Sequence, residues 1–156
     1  MAASTAPAAK QKLLDLLNAR AALAASVANK SLKVRWAAPT EEADYKRDVI
    51  WLGETVEQEE EHIQLGGGAN RRKHEEYVVE VGMQAYRTGD DPQGTETAWW
   101  ELRTELAAAV TADPDLTGSL PSGYAQLESS VVSTQPVATG GWLSKGSCRV
   151  RCKAQI

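Results

Sequence analysis

Apolar residues first recur at helical spacing. Leu13, Leu16, Leu17, Leu23, Ala24 and Val27 share one stripe, with Asp15, Asn18 and Ala22 on the other side. Alanine richness favours this helix, Pro7 suits its first turn, and Asn29 with the polar residues after it suits its end. The period then shortens to two. Leu32, Val34 and Trp36 alternate with Lys33 and Arg35, which predicts a short half-buried strand, broken by Ala37-Ala38-Pro39-Thr40. An acidic loop follows from Glu41 to Asp44, then a strand over Asp48 to Val56 in which Gly53 suits a bulge.

The clearest strand runs from Glu75 to Thr88. Tyr77, Val79, Val81, Met83 and Ala85 share one face, while Val78, Glu80, Gln84 and Tyr86 share the other. Asp91-Pro92 then reads as a cap and first turn. The helix it opens carries Ala98, Trp99, Leu102, Leu106, Ala109 and Val110 on its apolar stripe, and it ends near Asp113-Pro114. Trp100 falls off that stripe. Two more strands are expected. One lies near Gln126 to Ala138, stopped by Gly140-Gly141. The other runs from Trp142 to Ile156, where Cys148, Val150, Cys152, Ala154 and Ile156 alternate with Arg149, Arg151 and Lys153. Ser, Thr, Gly and Pro crowd the span from Gly118 to Gly141, so the fourth strand is the hardest to locate.

The order α-β-β-β-α-β-β lacks the βαβα alternation of a parallel sheet. It predicts an α+β fold, a mainly antiparallel sheet with two helices packed on one face. The chain has 156 residues and neither an internal repeat nor a long linker, so 1–156 reads as one domain. Within it, 57–74 reads as a flexible hairpin loop. This segment joins an acidic run to Gly66-Gly67-Gly68 and then to Arg71-Arg72-Lys73.

Composition adds limits to this picture. Hydrophobic residues at 42% and charged residues at 24% suit a globular chain, not a disordered one. A net charge of -4 gives no general attraction to phosphate, so nucleic-acid binding would need a local basic patch. No apolar run approaches the ~20 residues of a membrane span, and the start has no apolar leader behind a basic flank. Cys148 and Cys152 lie four strand positions apart, roughly 13 Å, beyond disulfide reach. They are expected as buried thiols on one face, in a reducing cytoplasmic setting.

Catalytic patterns are weak. His62 and His74, flanked by glutamates, would meet across a hairpin and hold a metal, but their spacing matches no compact ligand motif, and a solvated loop reads better. Gly66-Gly67-Gly68 with Arg71 and Arg72 lacks the Lys-Ser/Thr pair of a phosphate-binding loop and leads into a strand. There is no GxSxG elbow. No cofactor, metal or catalytic residue is therefore expected. The basic residues Arg149, Arg151 and Lys153 suit either a phosphate or acidic-protein contact or the plain solubility of a sheet face. Five tryptophans and no phenylalanine is an unusual balance. Trp36, Trp51 and Trp99 fit the core by pattern. Trp100, off its stripe, and Trp142, beside a glycine turn, suit interface anchors and hence an oligomer.

The ordered segments are LLDLLNARAAL, VRWAAP, VIWLG, GGGANRRKHEEY, YVVEVGMQAYR, the helix GDDPQGTETAWWELRTELAAAVTADPDLTG and the closing CRVRCKAQI. Together they resemble the tail terminator (tail completion) family of long-tailed bacteriophages over nearly the whole chain. The resemblance implies a structural virion protein at the head-tail junction, assembled in the bacterial host cytoplasm. It implies a homo-oligomeric ring, a hexamer, that caps the head-proximal end of the tail tube and stops its polymerisation. Its partners would be the tail tube protein and the head-completion or neck connector protein, with DNA passing through the lumen without sequence-specific binding. Arg71, Arg72, Lys73 and Trp100 are the candidate protein-protein interface residues by pattern alone. A head-closure or neck connector of the same junction is the nearest alternative. A small cytosolic enzyme or ligand-binding domain is the next.

Overall fold

A computed structural model of the chain describes residues 4–25, 32–40, 46–63 and 72–155, with the side chains of 21–25, 57–63 and 72–73 outside that description. Alternation along β3 (Arg72–Arg87) organises the fold. Tyr77, Val79, Val81, Met83 and Ala85 are all buried in one apolar cluster. On one side β3 pairs antiparallel with β2 (Val49–Ile63), and on the other with β5 (Trp142–Gln155), setting Val79 beside Val150 and Val81 beside Cys148. β4 (Tyr124–Pro136) forms an antiparallel hairpin with β5 and makes one edge. Its turn is closed by Gly140 and Gly141, whose φ of 106° and 86° favours glycine.

The other edge corrects the antiparallel expectation. β1 (Lys33–Arg35) pairs parallel with β2, so the five-stranded sheet, in the order β1-β2-β3-β5-β4, is mixed. Parallel neighbours need a connection of about a dozen residues, which the chain supplies between Arg35 and Val49. β2 also differs from expectation. It bulges between Leu52 and Thr55, around Gly53, but continues to Ile63. The segment expected as a loop over 57–74 is therefore strand on both flanks, with 64–71 outside the described residues. Ladder hydrogen bonds, not apolar alternation, hold that arm.

Both helices lie on the face that carries Tyr77 and Val81. From α1 (Ala6–Ala25) come Ala9, Leu13 and Leu17, and from α2 (Pro92–Ala112) come Ala98, Trp99, Leu102, Leu106 and Val110. Asp91 caps α2 by accepting from the Gly94 amide at 2.9 Å, with Pro92 in the first turn as predicted. The buried Trp99 indole donates to the Met83 carbonyl at 2.9 Å, which pins α2 to β3. The start of α1 is pinned through buried Glu75, whose carboxylate accepts from the Thr5 amide at 2.9 Å and from the hydroxyls of Thr5 and Ser4. An anion there also suits the helix dipole.

Beyond α2, Leu116 and Leu120 are fully buried, so the connection to β4 plugs the core instead of merely crossing it. A second latch closes the start of β2. Buried Asp48 accepts from the Tyr86 amide at 3.0 Å and from the Arg87 guanidinium at 2.7 Å. Among the described residues no helix is long and apolar enough to cross a membrane.

Candidate interaction surface

The face of the sheet opposite the helices has no helix or strand over it among the described residues. Register places on it Glu76, Val78, Glu80, Gly82 and Gln84 of β3, and Lys145, Ser147, Arg149, Arg151 and Lys153 of β5. β5 thus divides by parity. Cys148, Val150, Cys152 and Ala154 are buried under the helices, and the cations stand on the other side. Arg151 is ion-paired with Glu76 and Glu128, and Lys153 lies 3.8 Å from Glu76. The hydrogen bond that Arg151 donates to Glu128 raises the Arg151 pKa further above its ordinary value. Arg151 is also the cross-strand partner of Val78, which is buried on this face together with Val49 and Gln84.

At the β1–β2 side the sheet opens into a cleft of about 720 Å³. Its walls include Lys10, Trp36, Trp51, Gly82 and Lys145. Trp51 and Gly82 are cross-strand partners, and a Cβ on Gly82 would lie 2.0 Å from the Trp51 ring. Only glycine leaves the indole room to lie flat on the strand, so Trp51 is buried on this face and not in the helix-covered core. The Lys145 ammonium sits 5.8 Å from the Trp51 ring centroid. Lys10 lies 4.7 Å from the Trp36 centroid and donates to the Gly53 carbonyl at 2.9 Å. Both are cation–π pairs that hold charge over an aromatic floor.

Trp36 departs from the expected core position. β1 stops at Arg35, so Trp36 falls at a bend outside the strand's alternation and is 44% exposed, whereas Leu32 and Val34 do pack on the core. Trp99 is in the core as expected. Trp142 is half-buried, and its indole donates to Asp90 at 3.0 Å.

The four residues singled out from the sequence separate. Trp100 is 43% exposed, edge-on to Trp99 with centroids 5.1 Å apart, and has the Arg103 guanidinium 5.6 Å from its ring. Arg71 lies outside the described residues. Arg72 and Lys73 open β3, in register with Ile63 and His62. Through Trp99, α2 is tied to Met83, and Met83 is ten positions along β3 from Lys73, about 33 Å. Trp100 and the basic residues therefore do not form one site. The residues of the cleft carry no shared sequence signal because they are far apart along the chain. The one local signal was Gly82 in the middle of the strongest strand, where glycine has no propensity reason to be.

Cys148 and Cys152 are buried and free. Burial raises the Cys148 thiol and pushes Cys152 up to about 12, so both stay protonated at neutral pH. His74 is in register with Glu61 and His62 with Lys73, so the two histidines are offset by one position and are not partners. Among the described residues no group of three or more His, Cys, Asp or Glu is gathered as a metal site. Neither the models of known protein families nor the curated proteins give a match to this chain.

Proposed function

We propose that the chain is a tail terminator, a structural virion protein whose copies form a ring, a hexamer, on the head-proximal end of a phage tail tube. The ring halts tube polymerisation and offers a docking surface to the head-completion or neck protein, while DNA passes through the lumen without sequence-specific contact. The observation that carries this reading is the sheet face over which no described helix or strand lies, with its row of cations and its tryptophan-floored cleft. A surface of that kind suits a protein whose work is contact. The two edges of the sheet differ, one being the polar β4 and the other the short β1 with β2. Unlike surfaces on one subunit favour heterologous contacts, which close into rings by rotation. The ordered segments that resemble the terminator family supply the rest of the argument. We assign the chain no catalytic step. Trp100 and the Arg71-Arg72-Lys73 segment are candidate contacts with partners, at separate places on the subunit.

The reading is tested by mixing the purified chain with purified tail tubes. Sedimentation with the tubes and decoration of one tube end are expected. Failure to bind tubes, with binding to the portal-side complex instead, would assign the chain to the neck connector of the same junction.

A further inference from the structure

We infer that β4 is an open docking edge and that its occupant is the β4 strand of a second copy of the chain, paired antiparallel about a two-fold axis at Val131. The inference goes beyond the ring reading and does not rest on it. Ring neighbours are related by other rotations, so the pair is a state of the free chain.

The first ground is the edge itself. β4 ends the sheet on one side, with β5 as its one neighbour among the described strands. Val131, at its middle, is 67% exposed, more than any other large apolar residue among those described. Edge strands that stay single are blunted by lysines, by inward-pointing charges or by prolines within the strand. From Ser129 to Gln135 β4 has none of these, and Pro136 comes only at its end. Its one charged residue, Glu128, sits at the bulge between Leu127 and Ser129 and is ion-paired with Arg151 of the same chain.

The second ground lies on the helix side of the same edge. Arg103 of α2 donates to the Ser130 hydroxyl, in the middle of β4, at 2.8 Å, and its guanidinium is 5.6 Å from the centre of the Trp100 ring. These contacts carry Trp100 toward the β4 edge, where it is 43% exposed. A strand added along β4 extends the sheet on that side and gives the ring an apolar surface to bury.

The third ground selects the occupant. With a net charge of -4, two copies repel one another except where neutral surfaces meet, and the run from Ser129 to Pro136 is neutral. A two-fold axis normal to the sheet keeps the faces of both copies in common, so a residue meets only a residue of its own parity. Centred on Val131, that register sets Val131 against its counterpart in the second copy, Ser130 against Val132, and Ser129 against Ser133. The exposed valine is then buried by its own copy. No charge stands opposite a like charge, and the facing residues are small or β-branched, which suits a close strand pair.

The test is sedimentation of the full chain across a dilution series, at about 0.05 M and about 0.5 M salt. A dimer is expected, no weaker at the higher salt because the contact is uncharged. Val131→Lys and Val131→Glu each set a charge against its own copy and are expected to weaken pairing roughly tenfold or more. An equimolar mixture of the two variants is expected to pair again, since lysine then faces glutamate across the axis. Unchanged thermal unfolding of each variant as a monomer separates lost contact from lost fold. A wild type that stays monomeric overturns the pairing, and loss of tail-tube binding in Val131→Lys would then give the edge to the tube protein. Pairing that ignores both substitutions, or a mixture that does not recover, overturns the two-fold at Val131. Tube capping by the wild type decides the ring reading separately.

Discussion

The two faces of the sheet are written in the same strands and do different work. On β5, Cys148, Val150, Cys152 and Ala154 pack under the helices, and between them Arg149, Arg151 and Lys153 stand on the other side. On β3, Tyr77 to Ala85 is apolar at every second position, while the intervening positions mix Val78, Glu80, Gly82 and Gln84. The covered face obtains its stability from apolar burial and from one anchored indole. The other face buries Val49, Val78 and Gln84 as well, lays Trp51 over Gly82, and carries ion pairs, which near water contribute little each. The helix-covered apolar cluster and the charged positions of β5 are therefore told apart by the parity of a residue along its strand.

The sharpest test of that division is Trp99→Ala. It removes the largest fully buried side chain and leaves the Met83 carbonyl without its donor. A loss of about 3–5 kcal/mol is expected in urea unfolding. A loss below 1 kcal/mol would contradict the central place given to that contact. Gly82→Val comes next, on the opposite face. The new side chain would occupy the space of the Trp51 ring, and a loss of about 1–3 kcal/mol is expected, with Trp51 driven into solvent and its fluorescence shifted red. Retention of both stability and spectrum would mean that the cleft floor is not built as described.

A pH-dependent effect is expected from the covered thiols. Burial pushes Cys152 up from its ordinary value of 9.0 to about 12, and it raises Cys148 in the same direction. An unfolded chain releases these protons near 9.0 while the folded chain holds them. The contribution to stability is thus fully present below pH 9.0 and lost as pH rises toward 12. Urea titrations between those limits are expected to show the decline. A thiol reagent at pH 8 is expected to modify neither cysteine until the chain unfolds.

Much of the covered face was legible in the sequence. The α2 stripe, the two faces of β3 and the alternation of β5 are all where their periods put them, because burial against one layer imprints a period on the residues. The β2 arm was not legible. Glutamates at 57 and 59–61 carry no apolar alternation, and the arm is held by backbone pairing that any sequence can supply. The parallel placement of β1 was hidden for a related reason, since alternation marks a strand without giving its neighbour's direction. Trp36 misled because a three-residue strand ends before it. The cleft was invisible as a unit. It joins residues 10, 36, 51, 82 and 145, which only the sheet register brings together.

The central claim, that this subunit ends a tail tube, is tested most directly by tube growth. Tube protein is polymerised with and without the purified chain, and the tubes are measured by electron microscopy. The account predicts that growth stops early, with a ring of added density at one end of each tube. Tubes that lengthen at the control rate, with both ends bare, would contradict it.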